Sequence, residues 1–352
     1  MRYAQTVLGP VSGDQLGFTL PHEHLLWDLR FYLPKDLDPN DPTDERNTPI
    51  NPEILCNLKY HLQEYTDNMT QFEVEPLLKE LAWFKEAGGG TICDCTSFGL
   101  GRQPLKIREA SARSGVNVIL GTGAYCDFTL PEEINAMDVD TMAQVFIDEI
   151  KTGIGDTGIR CGFIGEIGIS EPFPEGDRRS LAAAAIAQRE TGASILIHQP
   201  GLTHAADEIF KIITDNGGDL NRVVMCHCCP LMDDPDYLDH MAKSGAYISY
   251  DYFGLEIVLT LRSYSNLWLP TDRDRIRAIR DQIARGNLQK IVLSHDVVYK
   301  SMWRQYGGFG YAHLPRDIVP LMLADGYDPA WIKQMTVETP KEIFTFQQEE
   351  IK

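Results

Sequence analysis

Two histidines one residue apart, His22 and His24 in Leu20-Pro-His-Glu-His-Leu-Leu26, close an extended segment near the N-terminus. Side chains alternate faces along a strand, so positions i and i+2 point the same way. Both imidazoles then aim into one space, the minimal geometry for gripping a metal ion. On a helix the same spacing would splay them by about 200°. Glu23 between them faces the opposite side and is not a ligand. Four further candidates, Glu166, His198, His227 and Asp296, each end or follow a later apolar run: Gly162-Phe-Ile-Gly-Glu166, Ser194-Ile-Leu-Ile-His198, Val223-Val-Met-Cys-His227 and Ile291-Val-Leu-Ser-His295.

Each candidate has a plainer alternative. His198 and His227 alone would be core histidines bonded to backbone carbonyls. A carboxylate straight after a buried strand, as at Asp296 or Glu166, is costly unless paired or metal-bound. The glycines around Glu166 leave room for something bulky, such as ions, beside the backbone. Six such residues in parallel favour a metal site over six separate coincidences.

The elements that must position them follow a regular beat. Strand candidates are 17–21, 90–94, 117–121, 161–166, 194–198, 222–227, 246–250 and 290–293. Amphipathic helix candidates lie at 75–87, 103–114, 140–151, 177–191, 205–216, 234–244, 272–285 and 315–325, with polar and apolar residues on opposite faces. Several helices run into glycine before the next strand, for example at Gly115 and Gly192. Repeated βα units imply a parallel sheet with helical crossovers. Eight of them, without a glycine fingerprint in the first βα turn, imply a closed (β/α)8 barrel. The whole chain, 1–352, is expected to be a single α/β domain. Its active site belongs at the C-terminal mouth, where all six candidates fall. Residues 27–74, rich in proline and acid, break the rhythm after the first strand. They are an insertion over the barrel mouth or a surface excursion.

Composition narrows the function classes. The 32 basic and 51 acidic residues leave a formal charge of −19, which repels nucleic acid and anionic lipid. No signal sequence or membrane span is apparent, so a cytoplasmic address is the expectation. Eight cysteines in 352 residues are few for a disulfide scaffold and are expected to be buried free thiols. In Cys226-His-Cys-Cys229 the cysteines are expected to pack, with Cys226 and Cys228 facing the helices and His227 the barrel.

Together these residues carry a resemblance. His-x-His on strand one, an acid on strand four, histidines on five and six and an aspartate on eight resemble the amidohydrolase superfamily, and within it the phosphotriesterase family. Supporting segments are Thr6-Val-Leu-Gly-Pro10, Thr19-Leu-Pro-His-Glu-His-Leu25, Gly162–Gly168, Ile197-His198, Ser294-His-Asp296 and Tyr306-Gly-Gly-Phe-Gly-Tyr311. The resemblance implies two divalent ions, with zinc expected. His22, His24 and Asp296 would hold one, His198 and His227 the other, with Glu166 and a hydroxide as bridges. Many members bridge with a carboxylated lysine; glutamate already carries the charge and both oxygens. Tyr125 matches a family tyrosine at the pocket, with packing as the alternative. Trp303 falls in the last loop, where relatives contact substrate, or else packs that loop. Lys300 and Arg304 share the loop and would meet an anionic substrate or stay solvated. A homodimer is a further expectation from the resemblance.

The chemistry fits this picture. Two ions make water nucleophilic at neutral pH and polarise the bond under attack, while Asp296 accepts the proton and passes it to the leaving group. The expected function is metal-dependent hydrolysis of a carboxylic ester, lactone or amide in a small molecule. The alternatives are phosphotriester cleavage and a non-catalytic small-molecule binding protein on the same scaffold.

Overall fold

The apolar runs become eight parallel strands that pair in sequence order. In the computed structural model, which describes residues 2–201, 203–261 and 264–347, these are β1 (Phe18–Glu23), β2 (Gly89–Asp94), β3 (Asn117–Thr122), β4 (Phe163–Gly168), β5 (Ile195–His198), β6 (Val223–Met225), β7 (Tyr247–Tyr250) and β8 (Ile291–Leu293). β8 returns to β1: the Asp296 amide donates to the His22 carbonyl at 3.3 Å, and the His22 amide to Ser294 Oγ at 3.2 Å. The sheet is a nearly closed barrel, the expected TIM-type α/β fold in one domain.

Between the strands lie α1 (Val74–Glu86), α2 (Pro104–Ser114), α3 (Val139–Lys151), α4 (Glu175–Thr191), α5 (Ala206–Asp215), α6 (Pro235–Lys243) and α7 (Asp272–Ala284). Gly115 and Gly192 stop α2 and α4 at φ +68° and +73°, the left-handed conformation that only glycine adopts cheaply. The helix expected at 315–325 opens as a π turn, Leu314–Ile318, before Val319–Ala324. No described helix is long and apolar enough to cross a membrane.

Strand alternation sorts two cores. Cys93, Ile119, Phe163, Leu196, Val224, Tyr247 and Val292, one from each of β2 to β8, form a cluster with Ala4, Leu16, Ile343 and Phe344. Contributions from seven strands to one cluster can meet only inside the barrel. The N-terminal hairpin (Arg2–Thr6, Gly9–Ser12) and the stretch ending near Phe344, which lies edge-on to Phe163 at 5.4 Å between ring centroids, plug its N-terminal end. The intervening strand residues, such as Ile92, Val118, Ile195 and Met225, face the helices in the larger outer core. Cys226 belongs to the inner cluster and Cys228 to the outer one. The expectation that both face the helices is corrected: β6 ends at Met225, but Cys226 keeps the inward phase of Val224.

Three elements fall outside the expected pattern. The N-terminal hairpin is one. A hairpin after β7, Val258–Leu261 with Tyr264–Trp268, is the second. The third is the helical stretch from Pro329 through the π turn Gln334–Glu338 to Phe344. Residues 27–74 are mostly turns, zipped at their base where Trp27–Asp28 pairs with Thr70–Gln71.

Candidate metal centre

All six candidates converge at the C-terminal end of the barrel. His22 and His24 bring their rings to 5.7 Å between centroids. Glu166 reaches both, with Oε2 3.5 Å from His22 Nε2 and Oε1 3.2 Å from His24 Nε2. On the other side Glu166 Oε2 lies 3.2 Å from His198 Nδ1 and 3.6 Å from His227 Nε2. Asp296 Oδ1 stands 3.4 Å from His22 Nε2 and 3.2 Å from His24 Nε2. Two sets of potential ligands, His22/His24/Glu166 and Glu166/His198/His227, each offer donor atoms within 4.8 Å of one another. Glu166 is common to both.

Irregular backbone aims several of these groups. The β1–β2 register shifts between Leu20 and Glu23, and the β4–β5 register between Ile164 and Ile167. Such shifts re-aim side chains, here His22 and Glu166, which simple alternation would send outward. His227 and Asp296 are the two non-glycine residues with positive φ, +59° and +54°, among the described residues. Left-handed backbone at such residues costs on the order of 1 kcal/mol and persists where the surroundings enforce it. At His227 it turns inward a side chain whose strand phase points outward. The glycines flanking Glu166 have a different use from the one expected. A Cβ on Gly165 would lie 2.8 Å from Leu196, and one on Gly168 2.3 Å from the Cys126 amide, so neighbouring chain fills that room, not ions.

The electrostatics are those of a cation site. His22 Nε2 is buried and makes no hydrogen bond, although two carboxylates face it. His198 Nδ1 and His227 Nε2 approach to 2.8 Å, two ring nitrogens sharing one proton at most between them. Burial opposes charge on every ring. Even so, Asp296 and Glu166 push His24 up to about 10, and Glu166 and Asp251 raise His22 and His227. His198 is lowered by burial and by neighbouring His227. Burial would raise Glu166, but the surrounding histidines hold its carboxyl well below the usual range. Carboxylates and imidazoles pressed together out of water are the donor set that fits divalent cations.

Three partners escaped the sequence reading. Asp251, directly after β7 and fully buried, faces His22 Nδ1 and His227 Nδ1 at 3.3 Å each. Thr96 Oγ1 lies 3.0 Å from His24 Nδ1. Tyr32, from the insertion, bonds Tyr125 hydroxyl to hydroxyl at 3.0 Å, and Tyr125 reaches His198 Nε2 at 3.2 Å. Only Asp251 left a usable trace, the same acid-after-strand pattern that marks Asp296.

A cavity of about 410 Å³ opens above the cluster, its floor including His24, Glu166, His198 and Asp296. Tyr125, Phe128, Tyr252 and Leu267 line its walls, with Leu29, Tyr32 and Gln63 contributed by the insertion. Trp303 does not reach it. The indole is fully buried, edge-on to Trp27 at 5.6 Å, with Nε1 donating to Tyr311 at 3.2 Å. Of the two expectations for Trp303, the structure shows loop packing. Lys300 pairs with Asp67 and Arg304 stacks on Trp83 at 4.7 Å, so both basic groups are engaged outside the cavity. All eight cysteines are free, and all but Cys56 are buried.

Comparison with known proteins agrees with this geometry. The chain matches the Phosphotriesterase family model over residues 2–344. An N-acetyltaurine hydrolase of Xenopus tropicalis is 35% identical, the alignment covering 97% of each chain. The crystal structure of a resiniferatoxin-binding protein from Rhodobacter sphaeroides superposes with a TM-score of 0.91 at 33% identity, over 99% of this chain and 96% of that one. A variant of a phosphotriesterase-like lactonase from Deinococcus radiodurans gives a TM-score of 0.75 at 25% identity, over 97% and 99%. With the barrel, Glu166 common to both ligand sets and a family match over residues 2–344, the chain belongs to the phosphotriesterase family of the amidohydrolase superfamily.

Proposed function

We propose that this protein is a two-cation hydrolase that cleaves the acyl bond of a small molecule, an amide, ester or lactone, with N-acyl amides as the first class to test. One observation carries the reading: six potential ligands meet around Glu166, and four of them, His24, Glu166, His198 and Asp296, line a substrate-sized cavity. The amide preference follows the Xenopus relative's name, and the lactone alternative the Deinococcus one. His22, His24 and Asp296 would hold one ion and His198 and His227 the other, with Glu166 common to both. Two zinc or similar divalent ions supply a water activated at neutral pH and polarisation of the scissile carbonyl.

The chain's own groups do the rest. Asp296 lies on the cavity floor, so its carboxylate can take the proton of the attacking water and return it to the leaving group. Tyr125 holds the Nε2 side of His198, leaving Nδ1 directed at Glu166. The aromatic walls and the insertion surround the substrate and exclude bulk water. A panel of N-acyl amino acids including N-acetyltaurine, lactones and paraoxon-like triesters tests the reading. Metal-dependent turnover of N-acyl compounds is expected, and turnover of the triesters alone would replace it with phosphotriester cleavage.

A binding protein on the same scaffold is the second reading, favoured by the name of the Rhodobacter relative. It predicts no turnover of any panel member by fully metal-loaded protein.

A further inference from the structure

Asp251 follows β7 as Asp296 follows β8, yet it lies behind the cluster and not on the cavity floor. Its carboxylate is fully buried. Oδ2 faces His22 Nδ1 and Oδ1 faces His227 Nδ1, each at 3.3 Å. Both oxygens also accept from the His227 amide, at 2.9 and 3.0 Å. That amide belongs to the left-handed residue, so Asp251 anchors the turn that aims His227 inward. His22 belongs to the His22/His24/Glu166 set and His227 to the Glu166/His198/His227 set, and the two rings also meet in a group with Asp296. Like Glu166, Asp251 therefore touches an imidazole of each set.

The consequence concerns coupling, and it rests on the two-cation reading above. Asp251 bonds Nδ1 of His227 and stands 3.3 Å from Nδ1 of His22, a contact short of hydrogen-bond geometry. A carboxylate on that side of both rings favours the proton at Nδ1 and directs both Nε2 atoms toward Glu166. When one Nε2 is engaged, its ring holds Nδ1–H more firmly against Asp251 and fixes the carboxylate. The other ring then meets an acceptor already in place, so the ordering cost is met once for both sets. Charge acts in the same direction. Glu166 and Asp296 bring two negative charges against the four positive charges of two divalent ions, and Asp251 adds one that both positions share. We propose that Asp251 is a positioning residue that couples the two cation subsites, so that loading of one prepares the other.

The test uses the full chain, stripped with a chelator and titrated with Mn2+ while electron paramagnetic resonance distinguishes isolated from spin-coupled ions. In the wild type, coupled pairs should appear below one equivalent. In Asp251→Asn the first equivalent should give the isolated-ion spectrum, and the second ion should bind about 10- to 100-fold more weakly. Asp251→Glu, which keeps the charge but cannot place both oxygens as Asp does, serves where the Asn variant does not fold, with the same split expected. Isolated ions in the wild type at low loading, or pairs persisting in both variants, would overturn the proposal alone. Wild-type protein that takes up no Mn2+ would overturn the two-cation reading together with it.

Discussion

Glu23 Oε1 accepts the Nδ1 proton of His295 at 2.7 Å, joining the residue between His22 and His24 to the residue before Asp296. The Leu314 amide donates to His295 Nε2 at 3.0 Å, which leaves Nδ1 as the protonated nitrogen. Glu23 also accepts from Ser294 Oγ at 2.8 Å and from the amides of His295 and Val297 at 2.9 Å each. One buried carboxylate thus ties the first strand to the last loop and sets where Asp296 stands relative to His22 and His24.

Replacing Glu23 by Gln puts an NH2 group against the Val297 amide, or against the three donors on Oε1 if the amide is turned the other way. The loss should be about 2 kcal/mol or more, since a buried unsatisfied group costs on the order of 1–3 kcal/mol. Urea unfolding of the two proteins measures it. An unchanged midpoint would show that the ring is closed by other contacts.

Tyr125 and Tyr32 should separate in effect. Tyr125→Phe removes the contact to His198 Nε2 and should weaken cation binding by about 10-fold or more. Tyr32→Phe leaves the ligands alone and should raise KM for an N-acyl substrate with cation content unchanged. Equal cation loss in both variants would contradict this division.

Much of this arrangement is legible in the chain. The βα rhythm and His22-x-His24 are local patterns, and buried strands write their ends as abrupt polar residues. What escapes depends on backbone that departs from the pattern. Cys226 keeps the inward phase of Val224, and His227 still reaches the barrel interior only because its backbone turns left-handed after β6 stops at Met225. Tyr32 sits in an insertion without periodicity, so nothing in its neighbours says that it meets Tyr125. Asp251 carries the same mark as Asp296, an acid straight after a buried strand, but its role behind two imidazoles shows only once β1, β6 and β7 are brought together.

Trp303 provides a test of packing against substrate contact. Trp303→Phe should leave kcat/KM within a few-fold, because the indole is buried away from the cavity. Trp303→Ala should cost about 3–5 kcal/mol of stability through the void it leaves. A specific rise in KM in the Phe variant, at unchanged melting temperature, would return the residue to the substrate.

His313 supplies a pH dependence away from the cation cluster. Its Nε2 meets Asp272 at 2.8 Å and its Nδ1 meets Asp317 at 3.0 Å. Burial opposes the charge, but the two carboxylates raise the imidazole above its ordinary 6.5. A raised folded value means the contribution is full below 6.5 and fades as pH climbs through the folded value. The stability difference between wild type and His313→Gln should therefore be full below pH 6.5 and shrink as the pH climbs above it. A difference that grows with pH would mean the ring is held neutral.

The most direct measurement is the cation content of carefully prepared protein, by plasma mass spectrometry, beside that of Glu166→Ala. About two divalent ions per chain are predicted in the wild type, with both subsites depleted in the variant because both lose their shared ligand. Wild-type protein that takes up no divalent ion even when supplied, or a variant that retains both, would contradict a centre built around Glu166.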